Sequence, residues 1–268
     1  MLAGNLVGGS SAVNAMMTIR GTKEDYDRWG QFFSNSSEWS WSGLLPYFKK
    51  ALNFLPPNED VVKSVNLTYD ASYWGNTSGV YAGWPSFQYP GTAAQVNAFR
   101  EIPGVEFPED SGAGKPGVYW YPTFMGPNVQ RSYARTGHYL NVRRANYHLI
   151  TDSKVMKIVL DGTTATGVSF VPVGAAPQAN CTAGSDESKS PACTSNGPTV
   201  VQAKREIILS AGAIHSPQVM QLSGLGPKKL LASVNITSVV DLPGVGQNFQ
   251  DHPMLTAAFQ CKLFAKDL

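Results

Sequence analysis

Three cysteines in 268 residues are too few for a fold stapled throughout by disulfides. A net charge of +2 provides no basic field for nucleic acid. No apolar run reaches the length of a membrane span. The four histidines (His138, His148, His215 and His252) never stand three or four residues apart, which excludes a helical metal pair. G-x-S-x-G is missing as well. Gly8-Gly9-Ser10-Ser11 does not fit it, and Leu222-Ser223-Gly224 lacks the preceding glycine, so serine hydrolysis is poorly supported. There is no G-x-G-x-x-G turn either, since Gly224-x-Gly226 and Gly244-x-Gly246 lack the third glycine. Met1-Leu2-Ala3-Gly4 carries neither a basic n-region nor an apolar h-region of a signal peptide.

What is present is plentiful glycine and proline, 26 and 18 residues, which suits a loop-rich enzyme better than a helical bundle. The length allows one large domain or two smaller ones. Five N-x-S/T sequons stand at Asn35, Asn66, Asn76, Asn180 and Asn235. Cys181 and Cys193 flank a polar segment and could close a small loop, leaving Cys261 over. Sequons and cysteines together lean towards secretion, at odds with the absent signal peptide. The simplest expectation is that Met1 is not the true start.

The richest stretch is Gly4 to Gly21, G-N-L-V-G-G-S-S-A-V-N-A-M-M-T-I-R-G. Gly8 and Gly9 permit backbone conformations and close approaches that a Cβ forbids. Ser10 or Ser11 can cap a helix beginning at Ala12 or Val13, and a helix N-terminus is a ready phosphate site. A plain turn with a cap is the alternative. Downstream come Arg20-Gly21, Asp25-Tyr26-Asp27, Trp29, Trp39-Ser40-Trp41 and Leu44-Leu45-Pro46-Tyr47-Phe48-Lys49-Lys50.

This whole run resembles the first signature of the glucose–methanol–choline (GMC) oxidoreductases, which use FAD. Gly212-Ala213-Ile214-His215-Ser216-Pro217-Gln218 through Gly226 is similar to the second signature. Asp241-Leu242-Pro243-Gly244-Val245-Gly246-Gln247-Asn248-Phe249-Gln250-Asp251-His252-Pro253 is similar to a third, in the family's order. The resemblance implies a mixed α/β chain: a partial FAD-binding dinucleotide fold with an antiparallel meander, plus part of a substrate-binding domain. It implies FAD-contacting residues in 1–55 and a substrate-domain segment in 56–146. The FAD-domain meander, strand and helix then fill 147–252, and 253–268 starts the return to the substrate domain. It also implies that the pyrophosphate turn precedes Met1 and that the catalytic base follows Leu268, so the chain reads as truncated at both ends.

The local patterns give more detail. A short helix is expected at 12–18. Another is expected at 43–53, capped by Ser42, with Leu44, Leu45, Phe48 and Leu52 on one face and Pro46 in its first turn. Pro56-Pro57 ends that element. Residues 58–130 read as irregular and aromatic-rich, forming either a wall for a sugar or aryl alcohol or ordinary packing. Residues 132–145 read as a helix. Strands are expected at 147–151, 154–160, 165–172 and 199–210, with Asp161-Gly162 as a hairpin turn. Residues 174–198 read as a surface insertion. Arg205 to Ser210 looks like the most buried strand, followed by a helix from Pro217 capped by Ser216, with Gly224 just past its end.

No residue is assigned as catalytic, and His252 is structural in the resembling family. By resemblance, the cofactor-binding positions are Val7, Gly9 and Ser10 on the loop, with Asn14, Ala15, Met16 and Met17 against the isoalloxazine. Val155 pairs with the adenine, and the small pair Ala211 and Gly212 lets the cofactor approach. The bland alternatives are a local cap at Asn14 and core packing for the methionines and Val155. The implied activity is oxidation of the CH–OH group of an alcohol or sugar by hydride transfer to flavin, with oxygen or another electron acceptor. No nucleic acid or membrane partner is expected. A remnant without flavin and a secreted glycan-binding module stand as alternatives.

Overall fold

A computed structural model describes residues 3–33, 37–142, 144–173 and 198–251. The sequons at Asn35 and Asn180, all three cysteines, most of the insertion, His252 and the 253–268 segment lie outside the described residues. The chain divides into two compact units, Met1–Tyr147 and His148–Leu268.

In the first unit, α1 (Lys23–Phe32) begins where Thr22 leaves helical geometry. The Thr22 hydroxyl accepts from Asp25 N–H at 3.3 Å, and Asp25 Oδ2 accepts from Thr22 N–H at 3.2 Å, a reciprocal capping box. Helix α2 (Trp41–Ala51) is capped by Ser40, whose Oγ accepts from Gly43 N–H at 3.4 Å. The expected cap was two residues later, at Ser42. Trp41 N–H donates to Asp27 Oδ1 at 3.0 Å, which draws the earlier turn into the helix and leaves Pro46 in its interior. Tyr26 packs on Trp29, Trp41 and Phe48 with centroids 5.1, 5.8 and 5.1 Å away, joining α1 to α2.

The core of this unit lies beside a minimal parallel pair, β1 (Asn53–Phe54) and β2 (Tyr81–Ala82). Phe54, Trp74 and Ala82 are buried there, with Leu52, Tyr69, Tyr73 and Trp84 packed around them. Phe54 stacks on Trp74 at 5.4 Å, so packing is the correct reading for that tryptophan. Residues 58–130 are more regular than expected, holding α3 (Glu59–Val65) and α4 (Pro90–Arg100). Asn58 caps α3, its Oδ1 accepting from Asp60 N–H at 2.8 Å, and Pro90 opens α4 at a first-turn position that needs no N–H. The helix expected at 132–145 shrinks to one wide turn, Arg135–Tyr139. Gly137, in its middle, has no Cβ and lies against Gly79.

The second unit is a meander of β3 (Ser153–Asp161), β4 (Thr164–Pro172) and β5 (Thr199–Gln202), antiparallel throughout. Asp161 faces Thr164 across the expected hairpin, where Gly162 has φ +57. One expected strand is missing and another is shorter than expected. Residues 147–151 form none, and β5 stops at Gln202. Ile208 is 78% exposed, contrary to the buried strand read at 205–210. Its apolar run has the composition of a central parallel strand, which needs neighbours on both sides, and the described residues provide none.

Helix α5 (Gly212–Leu222) starts five residues before the expected Pro217, with Ala211 at its N-cap and no side-chain cap. Pro217 is therefore internal and Ser216 caps nothing. Gly224 follows the helix with φ +83, as expected of a terminating glycine. Ser223 Oγ donates to Val219 O at 2.6 Å and accepts from Ile158 N–H at 2.8 Å, seating α5 on β3. The short parallel pair β6 (Leu225–Gly226) and β7 (Val240–Asp241) brackets α6 (Lys228–Ser233), whose Leu231 is 1% exposed.

Candidate functional site

The loop at Gly8 is tightly built. Gly8 has φ 101, and a Cβ there would lie 2.8 Å from the Tyr133 ring, so both backbone and neighbour demand glycine. Gly9 to Ala12 make one 3₁₀ turn rather than the expected helix start. Both serines serve the loop itself. Ser10 Oγ accepts from Gly4 N–H at 3.1 Å, while Ser11 Oγ donates to Gly8 O and accepts from Ala134 N–H at 3.2 Å. No α-helix begins here, so the loop presents a single 3₁₀ turn where a helix N-terminus was expected.

The helix expected at 12–18 is replaced by extended chain. Asn14 Oδ1 accepts from Met16 N–H at 3.1 Å, and Met16 turns left-handed at φ 61. Phe124 N–H then donates to Met16 O at 2.8 Å, and Thr18 N–H to Pro122 O at 3.1 Å. Pairing with a segment over a hundred residues away wins over local helix propensity. Val13, Asn14, Ala15 and Met17 stay exposed along this strip, Met17 at 48%. Val7, Gly9 and Met16 are half-buried, and Ser10 is exposed. The methionines are therefore not a closed core.

Sequence reasoning missed Arg131. Its Nη1 donates to Asn14 Oδ1 at 2.8 Å and to Ser11 O at 3.3 Å. With Oδ1 already accepting twice, the side chain of Asn14 has only its Nδ2 donors to offer a ligand. No spacing in the sequence signals a contact between residues 117 positions apart.

The strip leads into a buried polar hub. The Arg20 guanidinium lies over the rings of Trp74 and Phe48, at 4.6 and 5.5 Å, and Nη1 donates to Gly112 O at 3.0 Å. Burial lowers the Arg20 pKa to about 10, while the charge of Asp110 opposes that shift. Arg20 stays cationic at neutral pH. Asp110, 2% exposed, accepts from Trp74 Nε1–H at 3.0 Å, from Asp70 N–H at 2.9 Å and from Gly112 N–H.

In the second unit, Val155 pairs with Phe170 beside a bulge between Val155 and Lys157 and is 42% exposed, so it is not core. Ala211 and Gly212 form the uncapped entry to α5. Gly212 has φ +87, and nothing lies within 4 Å of where a Cβ would stand. The first turn of α5 and the third signature line one cavity of about 830 Å³, with Ala213, Ile214, Gln218, Gly246, Asn248 and Phe249 on its walls. Gln221 Nε2 donates to Val245 O at 3.3 Å and holds the two segments together. The sequence showed both motifs but not that they share a cavity. His215 Nδ1 lies 2.9 Å from Gln218 Oε1.

In the first unit, the strip suits a flat ring with an apolar face and hydrogen-bond acceptors. FAD has that chemistry. Exposed Val13, Ala15 and Met17 offer apolar contact there, and Asn14 offers donors. In the second unit, taken by itself, Gly212 leaves open backbone at the start of α5. The pyrophosphate turn is not among the residues of this chain.

The family profile of GMC oxidoreductases matches residues 1–254. Dehydrogenase xptC of Emericella nidulans is 36% identical over 249 residues, covering 92% of this chain and 36% of that protein. An FAD-dependent oxidoreductase from Chaetomium thermophilum superposes with a TM-score of 0.80 at 38% identity, over 94% of this chain and 40% of that one. A fungal aryl-alcohol oxidase gives 0.78 at 35% identity, over 91% and 38%. The chain thus spans well under half the length of the relatives it matches.

Proposed function

Since the chain belongs to the GMC oxidoreductases and is an oxidoreductase with FAD as cofactor by family, we propose that it forms the flavin-facing part of an alcohol-oxidising enzyme. The substrate is a primary or anomeric alcohol, oxidised to the carbonyl compound. Likeness to a fungal aryl-alcohol oxidase supports an aryl alcohol over a sugar. FAD, when bound, supplies the acceptor for the substrate hydride, and oxygen or another acceptor takes the electrons onward.

The observation that carries this reading is the exposed strip from Val13 to Met17, fixed from behind by Thr123 and Arg131. Val7, Gly9 and Ser10 line its approach. Asn14 presents donors outward, and Ala15, Met16 and Met17 provide the apolar surface that keeps water off a ring. We assign further cofactor contacts to Val155, for the adenine, and to Ala211 and Gly212. None of the chain's histidines is assigned the substrate hydroxyl proton.

The sequons support secretion as part of this reading. The test is the absorbance spectrum of the protein purified from its native host. Flavin bands that weaken in an Asn14→Leu variant of unchanged thermal stability support the assignment. A colourless wild-type protein overturns it in favour of a remnant without cofactor.

A further inference from the structure

The end of α3 carries a site of a different kind. Asn66 closes the helix in the left-handed conformation, φ 51 and ψ 49. Its N–H donates to Val62 O, as does that of Leu67 at 3.0 Å, and Leu67 is 4% exposed. The backbone is thereby fixed while Asn66 itself stays exposed. Its side-chain amide has no hydrogen-bond partner among the described residues. Asn66-Leu67-Thr68 is a glycosylation acceptor, and Thr68 is exposed too.

Asn66 and Thr68 line a cavity of about 310 Å³ together with Phe107, Tyr119 and Trp120. These three rings are half-buried, so aromatic surface is left uncovered. Arg100 also lines the cavity, its guanidinium 4.6 Å above the Phe107 ring, with N–H donors at the guanidinium edge. Burial raises the Tyr119 phenol above its ordinary pKa, so it keeps its proton. A pyranose has an apolar C–H face and a polar rim, which a ring wall beside an arginine complements.

We propose that Asn66 carries an N-linked glycan whose first N-acetylhexosamine seats in this cavity. The Asn66 amide nitrogen loses a proton and bonds the anomeric carbon of a lipid-diphosphate-linked oligosaccharide, and the lipid diphosphate leaves. The sugar's C–H face lies on Tyr119 and Trp120, and its acetamido oxygen meets Arg100. The proposal rests on the secretory reading and is independent of flavin.

Asn235 provides the control. It too is left-handed, φ 58, and exposed, and no aromatic residue stands between Ala232 and Thr237. The full protein is isolated from a eukaryotic secretory host, and occupancy and enzymatic release of glycans are followed by peptide mass spectrometry. In the native state, release at Asn66 is expected to be at least about tenfold slower than at Asn235, becoming equal after denaturation. Trp120→Ala and, separately, Tyr119→Leu should speed release at Asn66 alone. Equal native rates, or an unoccupied Asn66 beside occupied Asn76 and Asn235, overturn the seat while leaving secretion intact. No occupied sequon at all overturns both, and flavin absorbance is unaffected by either result.

Discussion

Gly8 and Gly212 both take positive φ next to surfaces proposed to meet the cofactor, yet their surroundings are opposite. Gly8 is wedged against Tyr133 inside a loop stitched to distant segments, whereas Gly212 stands in open space at the head of a locally hydrogen-bonded helix. The first unit positions its residues by long-range pairing: Asn14 by Arg131, Met17 by Thr123, Arg20 by Gly112. The second does so by regular local structure, a meander and α5. A glycine can thus be needed for two separable reasons, steric room and backbone handedness, and these two positions separate them.

The hub behind the strip gives the largest test. Asp110→Ala would leave the Trp74 indole and two backbone N–H groups without their acceptor, costing about 3 kcal/mol or more. Chemical denaturation should show that loss, and Asp110→Asn should recover part of it. Next comes the glycine pair. Gly8→Ala meets both strain and the Tyr133 ring and should cost about 2–3 kcal/mol, whereas Gly212→Ala meets strain alone and should cost about 1 kcal/mol. Equal losses would erase the distinction drawn above. Tyr133→Ala should rescue part of the Gly8→Ala defect and none of the Gly212→Ala defect.

A smaller effect is expected at Arg131. Arg131→Met removes one charged hydrogen bond from Asn14 and should weaken flavin binding by about fivefold, roughly 1 kcal/mol, with little change in stability. Titration followed by flavin fluorescence measures it, and unchanged affinity would detach Asn14 from the cofactor.

The smallest effect concerns pH. The hydroxyl and N–H of Thr22 lower the pKa of Asp25 in the folded state. A depressed carboxyl pKa adds stability above the unfolded pKa, and that stability is lost as pH falls through the folded value. Melting temperatures should therefore drop on acidification slightly more in the wild type than in Thr22→Ala.

The same contrast explains what could be read from the residues alone. Asp161-Gly162 and Gly224 were legible because a turn or helix end imposes its need for positive φ on the residue itself. The helix expected after Ser11 was not, since Asn14 and residues 122–124 redirect the chain. The buried strand read at 205–210 fails for a related reason: its composition reports neighbours that the described residues do not provide. The proposed cofactor positions rest on motif resemblance, and Arg131, outside every motif, was invisible to it.

Thr123 has a mechanical consequence. Its backbone bridges Met17 on one side and exchanges two hydrogen bonds with Gly83 on the other, at 2.8 and 2.7 Å. One residue is thus a shared beam under two loads. The 81–84 segment has a backbone-bridged route to Met17 through this one residue. Crowding Gly83, where a Cβ would lie 2.6 Å from Met125 O, would therefore register as a displacement of the Met17 strip.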